Sequence, residues 1–385
     1  MKRNSPGQLI LTGVPGYELD CETASLFRRV QPGGFILFGR NIKSAPQLRK
    51  LIDDLRNLSE VEPIITIDQE GGRVSRLRLI GQEPPNAQQL RDKGDVDLIA
   101  RHGEITGRLL RAFGFNLDLC PVLDISFDDD ADNSLRGRCY GKTATQVIRN
   151  AGAFNDAMRS QGIGSCGKHF PGYSAASVDA HHDLPKIDRT RQQLDSTELA
   201  VFRAFCGVSC ERMNQSSGGE GMEECFVVDS MMICHGWYPC FEPEKKPASL
   251  SRTVITGLLR GELGFEGLIM TDDLDMGAIL NEYSLEDTLR LTFEAGNDLA
   301  MICHRIDQIE NASRIVSGLP AGEIDRALES IARFKEDLAA PGQFSQTALD
   351  QLNDEIWQLR VATLGEEVAA QRSAEDGKRS PVETY

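Results

Sequence analysis

No stretch of this 385-residue chain approaches the ~18 consecutive apolar residues of a membrane-spanning helix. No apolar segment follows a basic patch at the N-terminus either. The first lack excludes a helical membrane protein. The second leads to the expectation of a cytoplasmic chain without a signal peptide. Basic residues are in deficit: 42 Lys and Arg against 58 Asp and Glu give a net charge of −16. Such a field repels nucleic acid and anionic membranes, so neither is expected as a partner. It leaves room for a small anionic substrate met by a local cluster of Arg and Lys. No CxxC pair occurs among the ten cysteines, and no histidine lies close in sequence to Cys206, Cys210 and Cys225. Reduced thiols are therefore expected, with no metal and no cofactor. Nor does a glycine-rich phosphate loop follow the first strand candidate, which counts against a doubly wound open sheet.

What is present is enough apolar residue, 40% of the chain, to build a large core. Short apolar runs at 9–14, 34–38, 63–67, 116–125, 162–168, 227–235, 267–271 and 298–303 read as eight strands. Amphipathic stretches at 45–58, 96–113, 143–161, 191–205, 251–263 and 285–295 lie between most of them. Eight such repeats predict an α/β fold, a single-domain (β/α)8 TIM-type barrel over residues 1–365. Residues 322–338 and 349–364 are expected as terminal helices. Residues 209–224, rich in Gly, Ser, Glu and Met, read as an inserted loop. Residues 366–385, charged and poor in apolar side chains, read as a disordered tail.

In a barrel of this kind chemistry sits where the strands end. Polar residues collect there: Asp68 through Arg76 after the third run, Asp124 after the fourth, Lys168 and His169 after the fifth. His235, Asp272 with Asp273, and His304 follow the last three. The densest stretch is 168–185, where Pro171 and Gly172 end regular structure and a loop carries Asp179 and His181 two residues apart. On an extended loop such residues point to one side. A carboxylate there fixes the imidazole tautomer and raises its pKa from ~6.5.

Four segments in this order resemble glycoside hydrolase family 3: Ile67-Asp68-Gln69-Glu70-Gly71-Gly72-Arg73-Val74, Lys168-His169-Phe170-Pro171-Gly172, Asp179-x-His181 and Thr271-Asp272-Asp273-Leu274-x-Met276. More narrowly they resemble its single-domain bacterial β-N-acetylglucosaminidases of cell-wall recycling, over roughly residues 7–340. The resemblance implies Asp272 as nucleophile, His181 as acid/base paired with Asp179, and Asp68, Arg76, Arg138, Lys168 and His169 as the grip on N-acetylglucosamine. Arg138 sits in a degraded form of the family's Gly-x-Arg-x-Phe. The implied activity is retaining, exo-acting removal of N-acetylglucosamine, as from peptidoglycan fragments, through a covalent glycosyl-aspartate. Other readings are a β-glucosidase of the same family, an N-acetylglucosaminide phosphorylase, and an inactive sugar-binding homologue. The chain departs from the family at residues 173–176, where Tyr-Ser-Ala-Ala replaces His-Gly-Asp-Thr, and in the 209–224 insertion.

Overall fold

The computed structural model describes residues 5–130, 134–174, 180, 183–207 and 225–372. Eight of its strands close into one barrel. In chain order the first three are β1 (Ile10–Gly13), β2 (Gly34–Leu37) and β3 (Ile64–Ile67). An antiparallel hairpin of β4 (Gln69–Gly71) and β5 (Val74–Ser75) follows. The barrel resumes with β6 (Leu117–Asp118), β7 (Gly164–Phe170), β8 (Ser230–Ile233), β9 (Leu268–Asp273) and β10 (Leu299–Ile302). All neighbours in the barrel are parallel, and β1 closes it by pairing with both β2 and β10, Leu11 opposite Gly34 and Ile10 opposite Ala300. Gly34 is required where it stands: a Cβ there would lie 2.6 Å from the Ile64 carbonyl oxygen on the next strand.

The barrel matches the expected fold, and each expected run holds one barrel strand. The fourth is shorter than its run. Pro121 has no N–H for the ladder, and past Asp118 the regular strand gives way to an isolated bridge, Val122 to Lys168, and separate backbone bonds such as Cys166 N–H to the Cys120 carbonyl at 2.8 Å. The strands are buried on both faces, with barrel side chains inside and helices outside. Ser44 with Gln47 and Thr190 with Gln193 form capping boxes that start two of these helices. The helix expected at 191–205 is broken at Thr197, whose hydroxyl donates to the Gln193 carbonyl at 2.7 Å. The segment expected at 251–263 is a π-helix, Thr253–Glu262.

Two expectations need correction. Residues 366–372 are built into the molecule. They open with the short helix Glu366–Ala369, and the buried Arg360 guanidinium donates to the Ala369 carbonyl at 3.1 Å. Cys225 is disulfide-bonded, whereas eight other cysteines are free thiols. The 209–224 insertion and the rest of the tail, 373–385, lie outside the described residues. Among the described residues no helix is long and apolar enough to cross a membrane.

The terminal helix Gln346–Leu364 packs on the segment after the β4–β5 hairpin. The Asn353 side chain accepts the Gln82 N–H at 2.7 Å, and Arg360 pairs with buried Glu83 at 3.1 Å. Glu83 also pairs with Arg78 at 3.2 Å, within the same 3-10 turn that carries Arg76.

Candidate active site

Asp68, Arg76, Arg138, Lys168, His169 and Asp272 line one cleft at the C-terminal end of the strands. Its organiser is Glu70, which sequence reasoning left out of the site. Glu70 is buried on β4 and faces two cations at once. Arg138 meets it through two bonds, Nε to Oε2 at 2.8 Å and Nη2 to Oε1 at 2.7 Å, while the Lys168 ammonium lies 2.6 Å from Oε1. Lys168 also donates to Asp68 at 2.8 Å, and Arg76 stands 3.7 Å from the other oxygen of Asp68. Burial alone would raise the Glu70 pKa, but Arg138 and Lys168 reverse that and hold it well below the usual carboxylate range. Burial likewise opposes the Lys168 charge, and Asp68 and Glu70 outweigh it, so the amine stays protonated. Asp118, on β6 nearby, has no such partner. One of its oxygens accepts the Gln69 N–H at 3.0 Å, the other is unpaired, and burial pushes its pKa up to about 8.

The His169 ring is held from below. Its Nδ1 lies 2.7 Å from Oδ2 of Asp124, a fully buried carboxylate whose other oxygen accepts the Tyr173 N–H at 2.6 Å. The altered residues at 173 and 174 are part of this frame. Tyr173 is buried in the cleft wall and its hydroxyl accepts the Ala180 N–H at 2.9 Å; the Ser174 hydroxyl accepts the Ile125 N–H at 2.9 Å. The bulkier residue thus ties the start of the loop to its far side. Asp179 and His181 lie outside the described residues. Gly172, just before, has φ +117°, and a Cβ there would strike the Glu198 side chain at 2.5 Å.

Across the cleft β9 ends in two carboxylates. Asp272 accepts the Asp273 N–H at 2.8 Å. Asp273 accepts N–H groups from Asp275 at 3.0 Å and Cys303 at 3.1 Å, and meets His304 Nε2 at 3.2 Å. Buried His235 reaches the Asp273 carbonyl oxygen at 2.9 Å and the Ser249 hydroxyl at 2.7 Å. A strand end fixed this firmly holds both carboxylates in one orientation beside the cleft. Among the described residues no group of three or more His, Cys, Asp or Glu side chains could hold a metal ion.

The profile described as the glycosyl hydrolase family 3 N terminal domain matches residues 3–211 and 226–334. The chain belongs to glycoside hydrolase family 3. It is a glycosidase by that membership and by its relatives. It is 32% identical over 353 residues to a beta-hexosaminidase of Vibrio cholerae, covering 91% of this chain and 95% of that one. A solved family 3 beta-N-acetylglucosaminidase from Paenibacillus sp. str. FPU-7 superposes with a TM-score of 0.81 at 32% identity, over 94% of this chain and 68% of the other. NagZ from Neisseria gonorrhoeae, solved in complex with N-trifluoroacetyl-D-glucosamine, gives 0.74 at 25% identity, over 91% and 97%.

Beyond Glu70, sequence reasoning missed Arg40, whose guanidinium contacts His304 Nδ1 at 3.1 Å. Glu70 did carry a signal. It is two residues from Asp68, and in an extended segment such neighbours share a side. Arg40 carried none, because its partner is 264 positions away.

Proposed function

We propose that this chain is a retaining exo-β-N-acetylglucosaminidase that removes terminal N-acetylglucosamine, with peptidoglycan fragments as its substrates. The observation that carries the reading is the opposition, across one cleft, of Asp272 and the Lys168–Asp68–Glu70–Arg138 cluster. It is supported by relatives named beta-hexosaminidase that match nearly end to end.

The steps follow from the roles. Asp68, Arg76, Arg138, Lys168 and His169 hold the sugar hydroxyls through charge-assisted hydrogen bonds. An Asp272 oxygen attacks the anomeric carbon, and the bond to the leaving oxygen breaks as His181, steadied by Asp179, gives that oxygen its proton. Water then attacks the same carbon, His181 takes a proton from it, and Asp272 departs as carboxylate.

The test is a paired assay of nitrophenyl N-acetyl-β-glucosaminide and β-glucoside at one pH, with and without phosphate. The expected kcat/KM ratio is at least ~10 in favour of the acetamido sugar, about 1.4 kcal/mol of differential transition-state binding. Preference for the glucoside would replace the hexosaminidase reading, and a sugar 1-phosphate product would replace hydrolysis.

A further inference from the structure

Two adjacent carboxylates end β9, yet a covalent mechanism of the kind proposed above uses one. The cleft wall separates their roles through a chain of three side chains from three different strand ends. Arg40 follows β2, and its Nη1 lies 3.1 Å from Nδ1 of His304. His304 follows β10, and its Nε2 lies 3.2 Å from Oδ2 of Asp273. A guanidinium has only donors. It therefore requires a lone pair on Nδ1, so the single proton of a neutral ring sits on Nε2 and points at Asp273. The order Arg40 to His304 to Asp273 runs one way. An imidazolium would set its second N–H against the arginine.

Arg40 is itself fixed, donating to the carbonyls of Val14 at 3.0 Å and Cys303 at 2.7 Å and lying over the Phe38 ring at 4.5 Å. The backbone N–H of His304 donates to Asp275 at 2.8 Å, and Asp275 in turn pairs with Arg305. Asp273 thus meets three donors, from His304, Cys303 and Asp275, while Asp272 meets the Asp273 N–H. Among the described residues, the other titratable or charged groups around the pair include Arg40, Cys303, Asp275, Cys234 and His235 on its own side, and Asp68, Arg76, Arg138, Lys168 and His169 across the cleft.

We propose that His304 is a positioning residue for Asp272, acting through Asp273. It carries the influence of Arg40 to the second carboxylate, and so leaves Asp272 as the one free to bond to the anomeric carbon. Burial works against the Asp273 anion, and the contact with His304 together with the N–H groups of Asp275 and Cys303 outweighs it, holding the carboxyl below its ordinary pKa. Without that bond two neighbouring carboxyls share one site poorly, and the pair keeps a proton to higher pH. This inference rests on the reading of Asp272 as nucleophile.

Kinetics on an aryl N-acetyl-β-glucosaminide from about pH 4 to 9 test it. His304→Leu is expected to lower kcat about 10- to 100-fold with KM changed less than about twofold, and to move the acid limb upward by about one pH unit. His304→Gln offers an amide N–H to Asp273 and a carbonyl oxygen to Arg40, and cannot become a cation. It is expected within about fivefold of the parent, with its acid limb in place. Adding Asp273→Asn to His304→Leu removes the second charge and should return the limb. A parental profile in the Leu variant, or Leu and Gln variants equally slow with unmoved limbs, overturns the proposal. Should His304→Leu fail to fold, a displaced limb in the Gln variant overturns it. If Asp272→Ala keeps its turnover, the nucleophile assignment itself has failed; if that variant is inactive while His304→Leu is normal, only the role of His304 falls.

Discussion

Two buried carboxylates, at opposite ends of the barrel, each hold two cations. At the N-terminal end Asp298 accepts from Arg260 at 2.7 Å, Arg326 at 2.6 Å, the Ser330 hydroxyl at 2.9 Å and the Ile269 N–H at 2.9 Å. Its arginines give further donors to the carbonyls of Phe265, Gly267, Gly296 and Asn297. At the other end Glu70 holds Arg138 and Lys168, and both cations reach the cleft. The two carboxylates are alike in burial and charge. The difference is what their cations face besides the carboxylate: backbone carbonyls at one end, the cleft at the other. An ion cluster turned onto protein is architecture, and one whose cations line a cleft is a place for a polar ligand.

The comparison can be broken most sharply at Asp272, which takes part in neither cluster. Asp272→Ala should cost about three or more decades in kcat while Tm stays near that of the parent. Near-normal turnover in a folded sample would end the mechanism. Next come the two carboxylates themselves. Asp298→Asn should destabilise by ~1–3 kcal/mol, because it takes the charge from a buried carboxylate that two partly exposed arginines share, with kcat per folded molecule within about twofold. Glu70→Gln should lose stability too, but also about 100-fold in kcat/KM. Denaturant titration beside single-substrate kinetics measures both. Equal kinetic losses in the two variants would mean that the ends do not divide as argued.

An effect on stability alone concerns Asp118, a carboxylate with no cation of its own against it. Its folded pKa of about 8 stands above the ordinary 3.8. Between those values the unfolded chain releases the proton that the native state keeps, so wild-type stability falls as pH rises through the window. Asp118→Asn has no such loss. It should match the parent near pH 4 and exceed it increasingly toward about pH 8 in urea melts. A constant offset at every pH would show that Asp118 titrates normally.

The barrel was legible because parallel strands buried on both faces leave uninterrupted apolar runs, such as Leu9 to Val14 and Gly34 to Phe38. Helix ends were legible where a capping residue marks them: Ser44 opens its helix at the expected position, and Ser284 does the same. The candidate site was legible where residues lie next to a strand end, as Lys168, His169 and Asp272 do. The roles of Glu70 and His304 were not, although both stand near strand ends, because each role comes from partners far along the chain. Arg138 lies 68 positions from Glu70, and Arg40 lies 264 from His304. The break at Thr197 was invisible for another reason: its hydroxyl competes locally with the backbone, inside an otherwise good apolar pattern.

The bond from Arg360 to Glu83 spans 277 positions, and it joins the last long helix to the segment that carries Arg76. Local unfolding begins most readily at chain ends, where little is gained by staying ordered. When this helix frays, Gln82 and Glu83 lose Asn353 and Arg360 together, and the turn holding Arg76 loses its outer support. The cleft wall on that side therefore persists only as long as the C-terminal helix stays docked. The exchange rate of the Gln82 amide hydrogen reports the opening of the helix and of the wall as one event.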